Sequence, residues 1–144
     1  MNISDFKNPF FIGVAGVGMS AIAQYLQGIG KNVSGSDRYF HPDEYNKTKE
    51  QLENEGIKCF LQDGSGITAE TDLVVVSTAI EDTVYEVKKA KELGIPIIKR
   101  SQLLAMIAKS KKTVAVAGTS GKSTTSAMLF QILLDAGLEP SIIS

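Results

Sequence analysis

One unit recurs four times along this chain and restricts its fold more than any other feature. A segment with apolar residues at helical spacing is followed by a glycine and then by a short run rich in β-branched residues. The glycines are Gly30, Gly56, Gly94 and Gly137. Each stands where a helix C-terminus needs a left-handed residue, a conformation glycine adopts without steric cost. The runs after them, residues 32–35, 57–60, 95–98 and 141–143, read as strands. Met19, Ile22, Ala23, Leu26 and Ile29 form one helical stripe, and Thr125, Met128, Leu129, Ile132, Leu133 and Ala136 form another, so both helices are expected to face a core. Val84, Val87, Ala90 and Leu93 follow a polar loop, residues 78–84, and predict a further helix. Ser101 reads as the N-cap of a helix carrying Leu103, Leu104, Ile107 and Ala108 on one face. Residues 73–76 and 114–117 are continuous apolar runs, the pattern of parallel strands buried on both faces. Alternating strands and helices predict an α/β fold, a parallel sheet with helices on both faces.

Composition excludes several alternatives. The 144 residues suffice for one α/β domain of ordinary size and fall short of two. A hydrophobic content of 43% with 22% charged residues argues against disorder, a coiled coil or a fibre. Fifteen Lys and Arg against sixteen Asp and Glu leave no basic excess for a nucleic-acid backbone. Cys59 is the single cysteine and cannot form an internal disulfide; with no signal-peptide pattern in view, a reducing cytoplasmic setting is expected. No apolar run approaches the roughly 20 residues that span a bilayer. The basic stretch Lys109, Ser110, Lys111 and Lys112 reads as a linker or solvated helix end, and as the domain boundary. His41 reads as a surface residue and Cys59 as a small buried hydrophobe.

Two glycine-rich loops carry the chemistry. Gly13-Val14-Ala15-Gly16-Val17-Gly18 follows one predicted strand and opens a helix near Met19 and Ser20. In that setting backbone N–H groups and the positive helix end can meet a phosphate. The pattern is GxAxxG, with Ala15 at the second glycine position and an extra glycine at Gly16. Asp37 lies about 20 residues beyond, where Rossmann-like folds bind ribose hydroxyls. The same features would serve a nicotinamide dinucleotide, or tight strand-helix packing alone.

The second loop, Gly118-Thr119-Ser120-Gly121-Lys122-Ser123-Thr124, lies between the predicted strand 114–117 and the second amphipathic helix. Backbone N–H groups there can cradle phosphates, Lys122 can neutralise the β and γ phosphates of ATP, and the Ser123 hydroxyl can ligate Mg²⁺. Lys122 and Ser123 are thus the candidate catalytic residues, with ATP and Mg²⁺ the implied cofactors. A full P-loop carries glycine where this chain has Val116, so the loop is a shortened variant. The first 108 residues then read as a Rossmann-like domain, and residues 109–144 as the first strand, loop and helix of a P-loop ATPase domain.

The shortened loop resembles the ATP site of the Mur ligases, the ATP-dependent amide-forming enzymes of peptidoglycan synthesis. Within that family, Phe11-Ile12-Gly13 through Gly16-Val17-Gly18-Met19-Ser20, Ser34-Gly35-Ser36-Asp37, Val76-Ser77-Thr78-Ala79-Ile80 and Gly94-Ile95-Pro96 through Arg100 are most similar to the ligases that join L-alanine to UDP-N-acetylmuramate. Those that join murein tripeptide to the same nucleotide sugar are the nearest alternative. Ala15 replaces a usual glycine, and Ser120 stands where histidine is typical, which leaves the amino acid open.

The resemblance implies that Gly13, Ala15, Gly16, Val17, Gly18, Met19 and Ser20 face the diphosphate of UDP-N-acetylmuramate. It places Asp37 near the uridine and Ser77, Thr78 and Ala79 along the ligand cleft. It implies that the lactyl carboxylate is activated through an acyl phosphate and then attacked by the amine of L-alanine. The sequence shows no adenine pocket, amino-acid site or second Mg²⁺ ligand set, so an N-terminal piece inactive by itself is expected.

Overall fold

A computed structural model describes residues 1–78 and 83–143. Five parallel strands, β1 (Pro9–Ile12), β2 (Ser34–Ser36), β3 (Lys58–Phe60), β4 (Leu73–Val76) and β5 (Ile97–Lys99), form one sheet in the order β3-β2-β1-β4-β5. The helices are α1 (Val17–Gly28), α2 (Lys47–Asn54), α3 (Tyr85–Glu92), α4 (Arg100–Ser110) and α5 (Lys122–Asp135). The α/β class and the helix-glycine-strand order agree with the expectation. Gly30, Gly56, Gly94 and Gly137 all take positive φ, between 67° and 90°.

Two cores cover the two faces of the sheet. Phe11 and Val75 point to one face and pack with Met19, Ile22 and Leu26 of α1, Leu52 of α2, and Leu103 and Ile107 of α4. Phe10, Ile12 and Val74 point to the other and pack with Ile67 and with Val87 and Ala90 of α3. This alternation follows from the two-residue side-chain period of a strand. It explains why the central strands read as continuous apolar runs: both faces of β1 and β4 are covered.

Several expected boundaries move. The second strand is Ser34–Ser36, two residues later than expected, and the last is Ile97–Lys99. Helix α4 begins at Arg100 with Lys99 as its N-cap residue, so Ser101 is inside the helix. Gln102 Oε1 accepts the Lys99 N–H at 2.8 Å, a reach-back that starts the helix two residues before the serine.

The larger corrections lie beyond α4. Residues 114–117 and 141–143 are not strands. A strand is stabilised only by ladder bonds to a neighbour, and the sheet of this chain closes with β5 and β3 at its edges. Helix α5 forms as expected but buries no residue, and its predicted core stripe is open, with Met128 62% and Ile132 61% exposed. Ile143 packs against the core of the α1 face. Cys59 is half-buried. Among the described residues no helix is long and apolar enough to cross a membrane.

Candidate functional site

The strand order reverses between β1 and β4, so the connections leaving their carboxyl ends diverge and open a crevice where open α/β sheets take ligands. The first glycine-rich loop leaves β1 at that point. Gly13 takes φ 81°, which turns the chain so that the N–H groups of Gly13 and Val14 both donate to the Ser36 carbonyl, at 2.8 and 3.0 Å. Gly35 is needed for the same approach: a Cβ there would lie 2.7 Å from the Phe11 carbonyl oxygen and 2.8 Å from Val14 Cβ.

Asp37 completes the fastening. Asp37 is 5% exposed; its Oδ2 accepts the Ala15 N–H at 2.9 Å and its Oδ1 accepts the Tyr39 N–H at 3.1 Å. A buried carboxylate with two backbone donors holds the loop to the end of β2. Asp37 also lines a cleft of about 310 Å³ with Arg38, Phe40, His41, Gln62 and Asp63, so one residue both supports the loop and borders a cavity. In the same lining, hydrogen bonds from the Ser65 side chain and backbone N–H hold the Asp63 carboxyl below its ordinary value. His41, expected at the surface, is exposed and borders the same cleft.

Helix α1 opens without a side-chain cap. Gly16 O accepts from Met19 N and Ser20 N at 2.9 and 2.8 Å, while the N–H groups of Val17 and Gly18, in the first turn, have no intrahelical acceptor. The Ser20 hydroxyl donates to the Val17 carbonyl at 3.0 Å. Met19, expected to face a diphosphate, has its side chain in the core, 4% exposed, which leaves its backbone for any such role. At the end of β4, Ser77 and Thr78 border a second cleft of about 410 Å³ with Lys99 and Gln102. Ala79 and Ile80 lie outside the described residues.

One residue at this edge was not assigned a role from sequence. Arg100, at the junction of β5 and α4, lies against the bare backbone of Gly18: a Cβ on Gly18 would fall 2.8 Å from Arg100 Nη1 and 3.3 Å from its Cζ. Arg100 ends the segment 94–100 that carries part of the family resemblance, and the order of the strands brings the start of α4 to the start of α1.

The second loop stands apart. Gly121, at φ 73°, is the N-cap residue of α5, and Thr125 N donates to its carbonyl at 2.9 Å. Lys122 Nζ donates to the Gly118 carbonyl at 2.8 Å, so the lysine folds back over the loop. The amide donors of a helix start, a lysine and the Ser123 hydroxyl are the donor set that suits a phosphate chain and its Mg²⁺. All seven residues from Gly118 to Thr124 are exposed. Among the described residues no hydrogen bond or ion pair joins this loop to the first one.

Comparison with known proteins bears on this arrangement. The chain is 39% identical over 137 residues to the UDP-N-acetylmuramate–L-alanine ligase of Dichelobacter nodosus, covering 95% of this chain and 28% of that protein. It is 44% identical over 133 residues to the ligase of the same name from Syntrophomonas wolfei, covering 92% and 28%. The chain therefore spans about 28% of the length of these curated relatives. Among solved structures, the UDP-N-acetylmuramate–alanine ligase of Thermotoga maritima superposes with a TM-score of 0.77 at 29% identity, over 90% of this chain and 30% of that one. A murein peptide ligase of Psychrobacter arcticus superposes with a TM-score of 0.79 at 29% identity, over 91% and 27%. The family model described as "Mur ligase family, catalytic domain" matches residues 10–112, most of the chain. A parallel sheet with its glycine loop at the switch point, and a family match running from β1 through α4, make this chain a member of the Mur ligase family.

Proposed function

We propose that this chain carries the nucleotide-sugar site and the ATP loop of an enzyme that joins L-alanine to the lactyl carboxylate of UDP-N-acetylmuramate in peptidoglycan precursor synthesis. One observation carries the reading: in a chain 39–44% identical to ligases of that name, the glycine loop and the first turn of α1 follow the end of β1 at the switch point, with one cleft beside Asp37 after β2 and another beside Ser77 and Thr78 after β4. In this reading residues 1–108 bind the nucleotide sugar and residues 109–144 open the ATP-binding unit. The cleft beside Asp37 takes the nucleoside and the loop from Gly13 to Gly18 takes the diphosphate, while Ser77 and Thr78 border the sugar end. The reaction belongs in the cytoplasm, where the nucleotide sugar and ATP are both at hand.

An ionised carboxylate resists attack by an amine because its oxygen leaves poorly; ATP supplies the phosphoryl group that makes that oxygen a leaving group. The residues of this chain would serve by position and charge. Lys122 would neutralise the β and γ phosphates, the backbone from Gly118 to Thr124 would cradle them, and the Ser123 hydroxyl would hold Mg²⁺. Asp37 keeps the first loop in its shape so that α1 presents its free N–H groups to the diphosphate.

Calorimetric titration of the chain with UDP-N-acetylmuramate, NAD and ATP·Mg²⁺ in parallel tests this. Saturable binding of the UDP-sugar is expected. Binding of NAD with no response to the UDP-sugar would return the first loop to the nicotinamide-binding folds.

A further inference from the structure

Helix α3 holds the loop that follows β3, although the two come from different strand-helix units. Gly64 lies in that loop, is buried and takes φ 80°. Side chains of α3 serve both of its backbone polar groups: Glu86 Oε1 accepts its N–H at 3.3 Å, and Lys89 Nζ donates to its carbonyl at 2.8 Å. The N–H belongs to the peptide joining Asp63 to Gly64 and the carbonyl to the next peptide, so the two side chains fix both peptide planes. Two residues on, a Cβ on Gly66 would fall 2.6 Å from the Phe10 ring and 2.7 Å from that of Phe60, so the loop lies directly on the sheet. The residues just before the clamp, Leu61, Gln62 and Asp63, line the cleft beside Asp37. Glu86 is fully buried, and among the described residues its Oε2 has no hydrogen-bond partner. A buried carboxyl group with one oxygen unpartnered costs stability, and a methionine of similar length would pack there without that oxygen. Packing alone does not account for the glutamate; the acceptor it supplies to Gly64 does.

We infer that Glu86 and Lys89 are positioning residues of the cleft beside Asp37: from α3 they clamp Gly64 and so set the wall formed by Leu61, Gln62 and Asp63. The inference rests on the reading of that cleft as the nucleoside end of the nucleotide-sugar site, and adds to it two residues that act through the loop. Val87 and Lys91 of the same helix line the second cleft, beside Ser77 and Thr78, so one element borders one cleft and holds a wall of the other. Glu86 and Lys89 are three residues apart and Val87 and Lys91 four, the spacings that share a helix face, so adjacent faces of α3 address the two clefts. Both halves of the clamp are needed. A loop held at one peptide alone can still turn about the φ and ψ of Gly64, which has no side chain to restrict them.

The test uses the full 144-residue chain with Glu86→Met, Glu86→Gln, Lys89→Met and Lys89→Arg, and with Lys88→Met at the neighbouring exposed residue as control. Three quantities are read for each: calorimetric affinity for UDP-N-acetylmuramate and for NAD, hydrogen exchange of the amides of residues 61–66, and urea unfolding. Glu86→Met and Lys89→Met are expected to speed exchange of those amides and to weaken UDP-N-acetylmuramate about 10-fold, beyond any change in unfolding stability. Glu86→Gln keeps an oxygen acceptor and Lys89→Arg a donor, so both should bind within about 3-fold of the parent, as should Lys88→Met. Faster exchange with unchanged affinity overturns the inference and leaves a purely structural clamp. Unchanged exchange in both methionine variants overturns it as well, and so does a loss of affinity that tracks the loss of unfolding stability across the set. If the parent binds NAD and ignores the UDP-sugar, and the methionine variants weaken NAD, the nucleotide-sugar reading fails while the clamp stands. If the parent binds neither, both fall.

Discussion

The two glycine-rich loops of this chain share one sequence grammar and meet different structural fates. Each is an apolar run, then glycines, then an amphipathic helix. Around the first loop every part of that grammar has a partner. β1 is paired on both sides, α1 buries Met19, Ile22, Ala23 and Leu26, and Ser36 and Asp37 fasten the turn between them. Around the second, the helix and its left-handed glycine form, while the apolar run 114–117 remains without a ladder and α5 buries nothing. A helix satisfies its own backbone and can form from local signals; a strand cannot, because each of its hydrogen bonds needs another strand. The contrast separates what a segment does alone from what it does in company.

The largest effect expected from this contrast is in the cores. Phe11→Ala removes a ring from the fully buried centre of the sheet and should lower unfolding stability by about 3–5 kcal/mol, whereas Ile132→Ala on the open face of α5 should stay within about 0.5 kcal/mol. Urea unfolding of both variants checks this, and equal losses would mean that α5 packs against something.

A smaller effect should separate two glycines of the first unit. Gly35→Ala forces a methyl group to within 2.7 Å of the Phe11 carbonyl oxygen and should destabilise by about 1–3 kcal/mol. Gly28→Ala meets no atom within 4 Å at the end of α1, and should stabilise by about 0.5–1 kcal/mol through its lower entropy when unfolded. Thermal melts of the pair would show opposite signs. A stabilised Gly35→Ala would mean that β2 and the first loop can move apart.

The smallest effect concerns Cys59 on β3. Burial first, and then the charge of Glu53, push its thiol up to about 12. Because the thiolate is the reacting form, alkylation in the folded chain at pH 8 should be much slower than in the urea-unfolded chain. The folded value lies above the unfolded one, so the stability this thiol contributes is intact below its ordinary value and declines as pH rises from there towards 12. Equal alkylation rates in the folded and unfolded chains would show that β3 opens freely.

Much of the first unit was legible in the sequence. The four helix-ending glycines have the positive φ their positions demanded, and β4 spans the residues read as a buried strand. Periodicity also located α1, α3 and α5, because a helical stripe is a local pattern. The misreadings have two sources, one local and one not. By residue type Ser101 suits an N-cap, but the side chain of Gln102 serves the backbone of Lys99 and starts α4 earlier. Residues 114–117 have the composition of a buried strand without the neighbours that would make them one. At the site, the glycine spacing pointed to the first loop, yet nothing in the spacing revealed that Asp37 would spend its carboxylate on the Ala15 and Tyr39 amides, or that Met19 would turn its side chain into the core.

By itself the sequence determined the α/β class, the order of helices and strands as far as α4, and the two glycine-rich loops, all of which follow from periodicity, glycine stereochemistry and short-range hydrogen bonding. Only the tertiary structure decided the strand order β3-β2-β1-β4-β5, the crevice at the β1–β4 switch point and the meeting of Arg100 with Gly18, 82 residues earlier in the chain. The physical reason is reach: local patterns act over a turn of helix or the length of a strand, whereas the juxtaposition of two helix starts depends on which strands pair and on which face each connection crosses.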